Sequence, residues 1–448
     1  MSRRRIVWQS SGWDLWPRSD ADEGYPEGEL VTAPHVILGN GAAALAAIRA
    51  IRRRDRRTDI VVVAAESLAA YSPALLPYVI SGRLPERRLE LTNEAFYASH
   101  GVTVMPGRRA VEVRAGEHRV LLDDGQEVAY GRLLVATGAS AKGSAVTGAD
   151  EGEPLTLRSL DDARRIRAKA AGCTAACVLG AGLAGLEMAM ALRELGKDVS
   201  VVAASGQILS RNAGPDEARV VQGLLEAAGI RFLLQRSVAG LEHAAGGRWL
   251  LTNEGDQVPA DLLVAAKGAR PNVGSLSGAG STGFQTVDER MRTELPDVLA
   301  AGDVAMSRDA VSGEPRAFTT WPSACLEGAV AGSTMAGGTA SVEGQIAFNA
   351  LPVFGSSAAF VGETADGARP PDTEVVVWRG SRPERGLYRR LYLRGDRIVG
   401  AVVIGACRDA GLLRRLVETG AGLSPSAQTE VLAGCGWGAL KGRRLPRL

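Results

Sequence analysis

Short, continuously apolar runs closed by glycine recur along this chain, and stretches of helical period separate them. Val36-Ile37-Leu38 runs into Gly39, an alanine-rich stretch then reaches about Arg54, and a second apolar run follows at Ile60-Val61-Val62-Val63. The same order returns at Cys177-Val178-Leu179, with a helical stretch over 185–195 and an apolar run at 199–202. Apolar runs without alternation, bounded by turn residues, predict strands buried on both faces, and the amphipathic stretch between each pair predicts a crossover helix. Each set reads as a βαβ unit. Further strands are predicted at Val102–Pro106, at Leu133-Leu134-Val135 and at Leu262-Leu263-Val264-Ala265. A hairpin is predicted around Asp123-Asp124-Gly125, and a buried strand Val298-Leu299-Ala300-Ala301 is closed by Gly302-Asp303. From about Ala347 the pattern alternates in strand fashion, with turns at Arg379-Gly380-Ser381 and Arg394-Gly395-Asp396 and a helical segment at 412–417.

The two strand-to-helix joints carry the chemistry. They read Gly39-Asn40-Gly41-Ala42-Ala43-Ala44 and Gly180-Ala181-Gly182-Leu183-Ala184-Gly185. Gly39 and Gly180 permit the tight turn. Gly41 and Gly182 let a pyrophosphate approach backbone N–H groups at the positive end of the helix, and Ala44 and Gly185 are small enough for helix and strand to close together. One such joint also arises from packing alone. Two, each inside a βαβ unit, imply two dinucleotides with electrons passing between them. The expected fold is α/β, with two Rossmann-like, doubly wound, three-layer dinucleotide-binding domains plus a C-terminal α+β domain. Residues 33–145 with 285–345 are expected to form the first domain, 146–284 the second and 346–448 the third. Residues 1–32 read as an N-terminal extension carrying Trp8, Trp13 and Trp16.

At 448 residues the chain is too long for one ordinary core, and its 46% hydrophobic and 23% charged content is that of a globular protein. A net charge of +2 and only 5% aromatic residues argue against a nucleic-acid partner. No run approaches the roughly 18 apolar residues of a membrane span. Arg3-Arg4-Arg5 resembles the start of a twin-arginine signal, but Gln9, Ser10 and Asp14 follow it, so a cytoplasmic location and no membrane contact are expected. The five cysteines include no C-x-x-C, and His35, His100, His118 and His243 fall outside every motif, so no metal site is expected.

Taken in order, these motifs resemble the FAD- and NAD(P)H-binding reductases of the pyridine nucleotide–disulfide oxidoreductase superfamily, above all the rubredoxin and ferredoxin reductases and the flavin part of assimilatory nitrite reductases. The resemblance spans about residues 34–420. It implies FAD as the bound cofactor and NAD(P)H as the coenzyme. Gly39, Gly41 and Ala44 would then hold FAD, with Glu66 accepting the adenosine ribose hydroxyls and Gly302-Asp303 binding the ribityl chain. Ala136-Thr137-Gly138 would form the crossover between the nucleotide domains, and Trp321, with Glu327-Gly328, would lie in a helix beneath the flavin. Gly180, Gly182 and Gly185 would hold NAD(P)H, with Gly268 and Arg270 in the loop that closes on the flavin. The catalytic expectations are Glu187, accepting from the nicotinamide carboxamide, and Tyr78 at the flavin edge.

Three departures sharpen this reading. In Tyr71-Ser72-Pro73-Ala74-Leu75-Leu76-Pro77-Tyr78, Ala74 stands where coenzyme A–disulfide reductases and NADH peroxidases carry a redox-active cysteine, and a methyl group forms neither sulfenic acid nor mixed disulfide. In the same segment Pro73 and Tyr78 stand where related ferredoxin reductases often keep an Arg and a Lys. The second unit ends Val201-Val202-Ala203-Ala204-Ser205, without the carboxylate that would hold the ribose diol of NADH, which leaves NADH and NADPH both open. The expected function is a flavin-dependent NAD(P)H:acceptor oxidoreductase. It would exchange electrons, in either direction, with a ferredoxin, a rubredoxin or an iron–sulfur subunit of a larger complex. The alternatives are an NAD(P)H oxidase producing peroxide and a non-catalytic flavoprotein with a sensing or structural role. Arg49, Arg52, Arg53, Arg54, Arg56 and Arg57, with the tail's Lys441, Arg443, Arg444 and Arg447, offer an acidic carrier a docking surface; the plainer reading is a solvated helix end complementing its dipole. An oligomer or a place in a complex is expected.

Overall fold

A computed structural model describes residues 33–150, 153–244, 247–274, 283–364, 372–379 and 387–434. The extension at 1–32, the turn residues Gly380-Ser381 and the basic tail at 441–447 lie outside the described residues.

The first βαβ unit builds a five-stranded parallel sheet in the order Val298–Ala300, Arg132–Val135, His35–Leu38, Ile60–Ala64, Val102–Pro106. His35–Leu38 is central and buried throughout, as its unbroken apolar run requires. Helix Ala42–Arg54 crosses over it, and helix Trp321–Met335 packs against that helix at close range. A Cβ at Gly328 would overlap the Ala43 carbonyl oxygen and one at Gly332 the Ala47 carbonyl oxygen. Small residues four apart on both helices therefore let the two backbones touch and bring the start of the second helix to the nucleotide turn.

The second unit repeats the design as Ile230–Leu234, Asp198–Ala203, Ala175–Leu179, Leu262–Ala265, Leu155–Thr156, all parallel. The two units share one register. Leu38 pairs with Val63 as Leu179 pairs with Val202, and the Gly39 and Gly180 N–H groups donate to the Val63 and Val202 carbonyls at 2.8 Å each. Ser205 of the second unit thus stands at the position of Glu66 in the first. Helices Leu160–Ala171 and Pro215–Ala227, which the apolar pattern did not announce, complete the layers.

The C-terminal part is α+β. Its antiparallel sheet runs Phe348–Val353, Ser356–Gly362, Arg397–Ile404, Tyr388–Arg394, Glu374–Arg379, with helix Ala410–Thr419 on one face. Its other face meets the second unit through Glu217, which is fully buried. Arg390 Nε lies 2.7 Å from the Glu217 carboxylate, and the Tyr388 and Tyr392 hydroxyls donate to it at 3.3 and 3.4 Å. Burial raises the Glu217 pKa while Arg390 draws it back down.

Candidate functional site

The glycine turns divide into two kinds. Gly39 (φ +108°) and Gly180 (φ +120°) adopt backbone conformations that favour glycine, and a Cβ on either would overlap a carbonyl oxygen of the neighbouring strand's exit, Ala136 or Ala266. Gly41 and Gly182 have ordinary φ values of −103° and −80°, and a Cβ there would meet nothing within 4 Å. Protein packing does not ask for glycine at these two positions. What the missing side chain leaves is clear approach to the free N–H groups opening helices Ala42–Arg54 and Leu183–Glu194, a cradle for a diphosphate. Ala44 is wholly buried, and a Cβ at Gly185 would overlap the Gly180 carbonyl oxygen, so both third positions close helix onto turn. These residues fit two bound dinucleotides.

Two carboxylates flank the first cradle. Glu66, exposed just past Ile60–Ala64, accepts from the Tyr71 hydroxyl at 2.7 Å, and that hydroxyl accepts from the Leu160 N–H at 3.0 Å. Burial and the Glu66 charge raise the Tyr71 pKa, which keeps its proton in place to donate. Asp303, just beyond Val298–Ala300, accepts from Arg158 Nη2 at 2.9 Å. Both carboxylates are therefore reached by one stretch, Arg158-Ser159-Leu160. A capping box pins that stretch, since Asp162 Oδ2 accepts from the Arg158 and Ser159 N–H groups at 2.9 Å each, and Ser159 Oγ accepts from the Asp162 N–H at 3.2 Å. Sequence reasoning missed Arg158. The only local signal was Ser159 three residues before Asp162.

The crossover residues are knitted to the second unit. Thr137 Oγ1 donates to the Asn272 carbonyl at 2.6 Å, Asn272 Nδ2 donates back to the Thr137 carbonyl at 3.0 Å, and Ser140 Oγ donates to Asn272 Oδ1 at 2.7 Å. Gly138 takes φ +66°. Arg270 is exposed on Ala269–Pro271, paired antiparallel with Ala139–Ala141, and the Gly268 carbonyl accepts from the Lys142 N–H. Trp321 opens helix Trp321–Met335 half-buried against the core of the first sheet.

Tyr78 and Glu187 share a cavity of about 350 Å³ with Pro77, Arg83, Met190 and Phe354 on its walls. Arg83 sits 5.2 Å from the Tyr78 ring centroid and 2.9 Å from the Glu194 carboxylate. Burial pushes the Glu187 carboxyl up to about 7. Burial, then the Glu187 charge, raises the Tyr78 pKa. A larger cavity of about 830 Å³, lined by Arg132, Arg290, Leu295 and Asp297 among others, lies at the entry end of strand Val298–Ala300, and none of the candidate catalytic or cofactor-binding residues is on its walls. The basic cluster also lies away from the site. Arg53 and Arg54 end a helix whose first turn carries Gly41, about 18 Å distant along its axis, and Arg52 is spent on the carbonyls of His100, Asp55 and Thr58. Among the described residues no group of three or more His, Cys, Asp or Glu side chains could hold a metal ion, and no helix is long and apolar enough to cross a membrane.

Residues 33–328 match the family described as Pyridine nucleotide-disulphide oxidoreductase. The chain belongs to that family. Over 395 residues it is 32% identical to the NADH-dependent phenylglyoxylate dehydrogenase subunit epsilon of Aromatoleum evansii, covering 87% of this chain and 93% of that one. Over 413 residues it is 30% identical to the ferredoxin–NAD(+) reductase component of the anthranilate 1,2-dioxygenase system of Burkholderia cepacia, covering 90% and 98%. The fold is shared with the covalent putidaredoxin reductase–putidaredoxin complex, at a TM-score of 0.82 and 21% identity over 92% of this chain and 100% of that one. As a member of the family the protein is a flavin-dependent NAD(P)H oxidoreductase with FAD and NAD(P)H as its cofactors. When bound, FAD supplies the hydride-accepting ring system. The protein's own part is to align the two nucleotides; what the structure shows of Glu187 is a carboxyl lining the Tyr78 cavity, with its pKa raised by burial.

Proposed function

We propose that this protein is the flavin subunit of an electron-transfer chain, exchanging electrons between NAD(P)H and an iron–sulfur protein or the iron–sulfur subunit of a larger oxidoreductase. The observation that carries the reading is Ala74, exposed in the turn Pro73–Leu75 just before the Tyr78 cavity, where a thiol would be needed for disulfide or peroxide chemistry. Cys173, Cys177, Cys325 and Cys407 lie on other elements, and the Cys177 thiol, completely buried, is pushed up to about 12. Electrons delivered without a thiol leave one or two at a time to another redox centre. The names of the relatives support this, one a subunit of an NADH-dependent dehydrogenase and one a ferredoxin reductase component. Gly39, Gly41, Ala44, Glu66, Gly302 and Asp303 hold FAD in this reading, and Gly180, Gly182 and Gly185 hold the coenzyme.

The test is anaerobic stopped-flow absorbance of the purified protein mixed with NADH or NADPH, followed by a second mixing with a [2Fe–2S] ferredoxin. Bleaching of the flavin band and its recovery on ferredoxin addition support the reading. Bleaching that recovers only with dioxygen, with peroxide formed stoichiometrically, would replace it with an oxidase.

A further inference from the structure

Glu327 lies in the second turn of helix Trp321–Met335 and is 1% exposed. Its motif suggests a place beneath the flavin, yet its side chain turns back into the protein. Oε2 accepts from the Gly302 N–H at 2.8 Å, and Oε1 accepts from Ser307 Oγ at 3.0 Å and from Gln345 Nε2 at 2.7 Å. Gln345 Nε2 also lies 2.9 Å from Ser307 Oγ. The donors come from three places, namely the Ala301-Gly302-Asp303 turn, strand Ala305–Arg308 and the residues leading into the C-terminal strand Phe348–Val353.

Burying an acid is costly unless its hydrogen bonds are complete, and here every partner is a donor. The need for an acceptor is set by Gly302. Its φ is +81°, its carbonyl accepts from the Ala305 N–H, and the preceding Ala301 N–H is already committed to the Val135 carbonyl. The Gly302 N–H is left pointing inward with Glu327 as its partner, so the carboxylate fixes the peptide plane directly before Asp303. A leucine would fill the same space, leave that N–H unsatisfied and take from Ser307 Oγ and Gln345 Nε2 the acceptor they share.

We propose that Glu327 is a positioning residue for the flavin-holding turn. Through Gly302 it sets the orientation of Asp303, and through Gln345 it ties that turn to the root of the C-terminal sheet. The proposal rests on the reading that Asp303 binds FAD. Glu327→Ala takes the acceptor away from three buried donors, the Gly302 N–H, Ser307 Oγ and Gln345 Nε2. Glu327→Gln keeps an oxygen for Gly302, and Gln345 can turn its amide to present oxygen to the new NH2 group.

The experiment compares wild type, Glu327→Ala, Glu327→Gln and Asp303→Asn by the FAD dissociation constant, read from flavin fluorescence on release. The KM for NADH is read at saturating FAD. Expected results are a tenfold or greater rise in the FAD dissociation constant for Glu327→Ala, a change within threefold for Glu327→Gln, and an unchanged KM for NADH in both. The proposal fails if Glu327→Ala holds FAD as wild type does while Asp303→Asn loses it, or if Glu327→Gln loses FAD as badly as Glu327→Ala. Should Asp303→Asn hold FAD normally, the underlying reading of Asp303 fails instead, and the proposal falls with it. If Glu327→Ala does not fold, Gln345→Leu removes one arm of the brace; a dissociation constant raised about threefold supports the proposal, and an unchanged one overturns it.

Discussion

The Arg158 guanidinium meets the Asp303 carboxylate at 2.9 Å, joining segments 145 residues apart in the chain. Arg158 belongs to a stretch that also reaches Glu66 through Tyr71, so the segment entering helix Leu160–Ala171 is linked to both proposed FAD carboxylates, directly to Asp303 and by way of Tyr71 to Glu66. Asp303 is 17% exposed and Arg158 is 40% exposed, which limits the pair itself to about 1 kcal/mol. Arg158→Met is expected to weaken FAD binding about fivefold, the equivalent of that energy, with Arg158→Lys intermediate. Flavin retained after gel filtration at fixed protein concentration checks this. In an Asp303→Asn background the further loss on removing Arg158 should be small, because the two residues act as one unit.

Glu187 makes stability depend on pH with a definite sign. Burial lifts its pKa from 4.5 to about 7, so between those values the folded protein holds a proton that the unfolded chain has released. Stability therefore falls as pH rises through that window and levels off above it. Glu187→Gln removes the cost of a buried charge. Its apo-protein melting midpoint should match wild type near pH 4 and exceed it at pH 8, where the difference corresponds to a stability gain on the order of 2–3 kcal/mol. Equal midpoints at pH 8 would mean that the Glu187 carboxyl is solvated there.

Much of this fold is legible in sequence because its signals are local. The apolar runs at Val36-Ile37-Leu38 and Cys177-Val178-Leu179 and the glycine spacing after each depend only on neighbours, and both strands and both helices form where the pattern puts them. Helix Leu160–Ala171 is hidden because its apolar buried face is built from Leu160, Ala163, Ile166 and Ala170 among eight charged or weakly apolar neighbours. Arg389 and Arg390 sit inside a buried strand only because Asp409 and Glu217 arrive from distant elements to neutralise them. The same holds at the site. Gly41 and Asp303 are marked by motif, whereas Arg158 and the inward turn of Glu327 follow from partners that no local pattern reveals.

The basic residues closing helix Ala42–Arg54 point away from electron transfer. They end the helix opposite its nucleotide turn, where cations complement the dipole. Arg83, Arg87 and Arg88, all exposed, instead follow helix Leu76–Ile80 in the chain, and Arg83 lines the Tyr78 cavity. Arg53→Glu with Arg54→Glu should leave the KM for an acidic [2Fe–2S] ferredoxin within twofold of wild type. Arg87→Glu with Arg88→Glu should raise it severalfold at low ionic strength and less at high salt. Steady-state reduction of the ferredoxin at two salt concentrations separates the two clusters.

Coenzyme choice follows from the shared register of the two units. Ser205 stands where Glu66 stands in the first unit, and its Oγ donates to the Gln207 carbonyl at 2.8 Å. The crevice end of the second strand therefore presents Ala203, Ala204 and Ser205, with no negative charge to repel a 2′-phosphate. Wild type is expected to use NADH and NADPH with kcat/KM values within about tenfold of each other. Ser205→Glu should lower kcat/KM for NADPH by about tenfold or more while NADH is little affected. A wild-type preference above a hundredfold would show that another group selects the coenzyme.

A glycine that helix packing requires and glycines that packing leaves open predict opposite failures. At Gly328 a Cβ would overlap the Ala43 backbone, so Gly328→Ala must push two helices apart and should lower the apo-protein's stability by about 1–3 kcal/mol. At Gly41 and Gly182 a Cβ meets nothing and the backbone accepts any residue, so alanine should leave the apo-protein's melting midpoint unchanged or slightly raised. In the proposed reading the methyl group would instead stand where a diphosphate binds. Gly41→Ala should then weaken FAD binding at least tenfold, and Gly182→Ala should raise the KM for the nicotinamide coenzyme similarly while FAD stays bound. Melting of the apo-proteins, flavin content and steady-state kinetics distinguish these outcomes. If Gly41→Ala or Gly182→Ala binds its nucleotide as wild type does, the open space at that turn is not a diphosphate cradle and the assignment of that unit must be withdrawn.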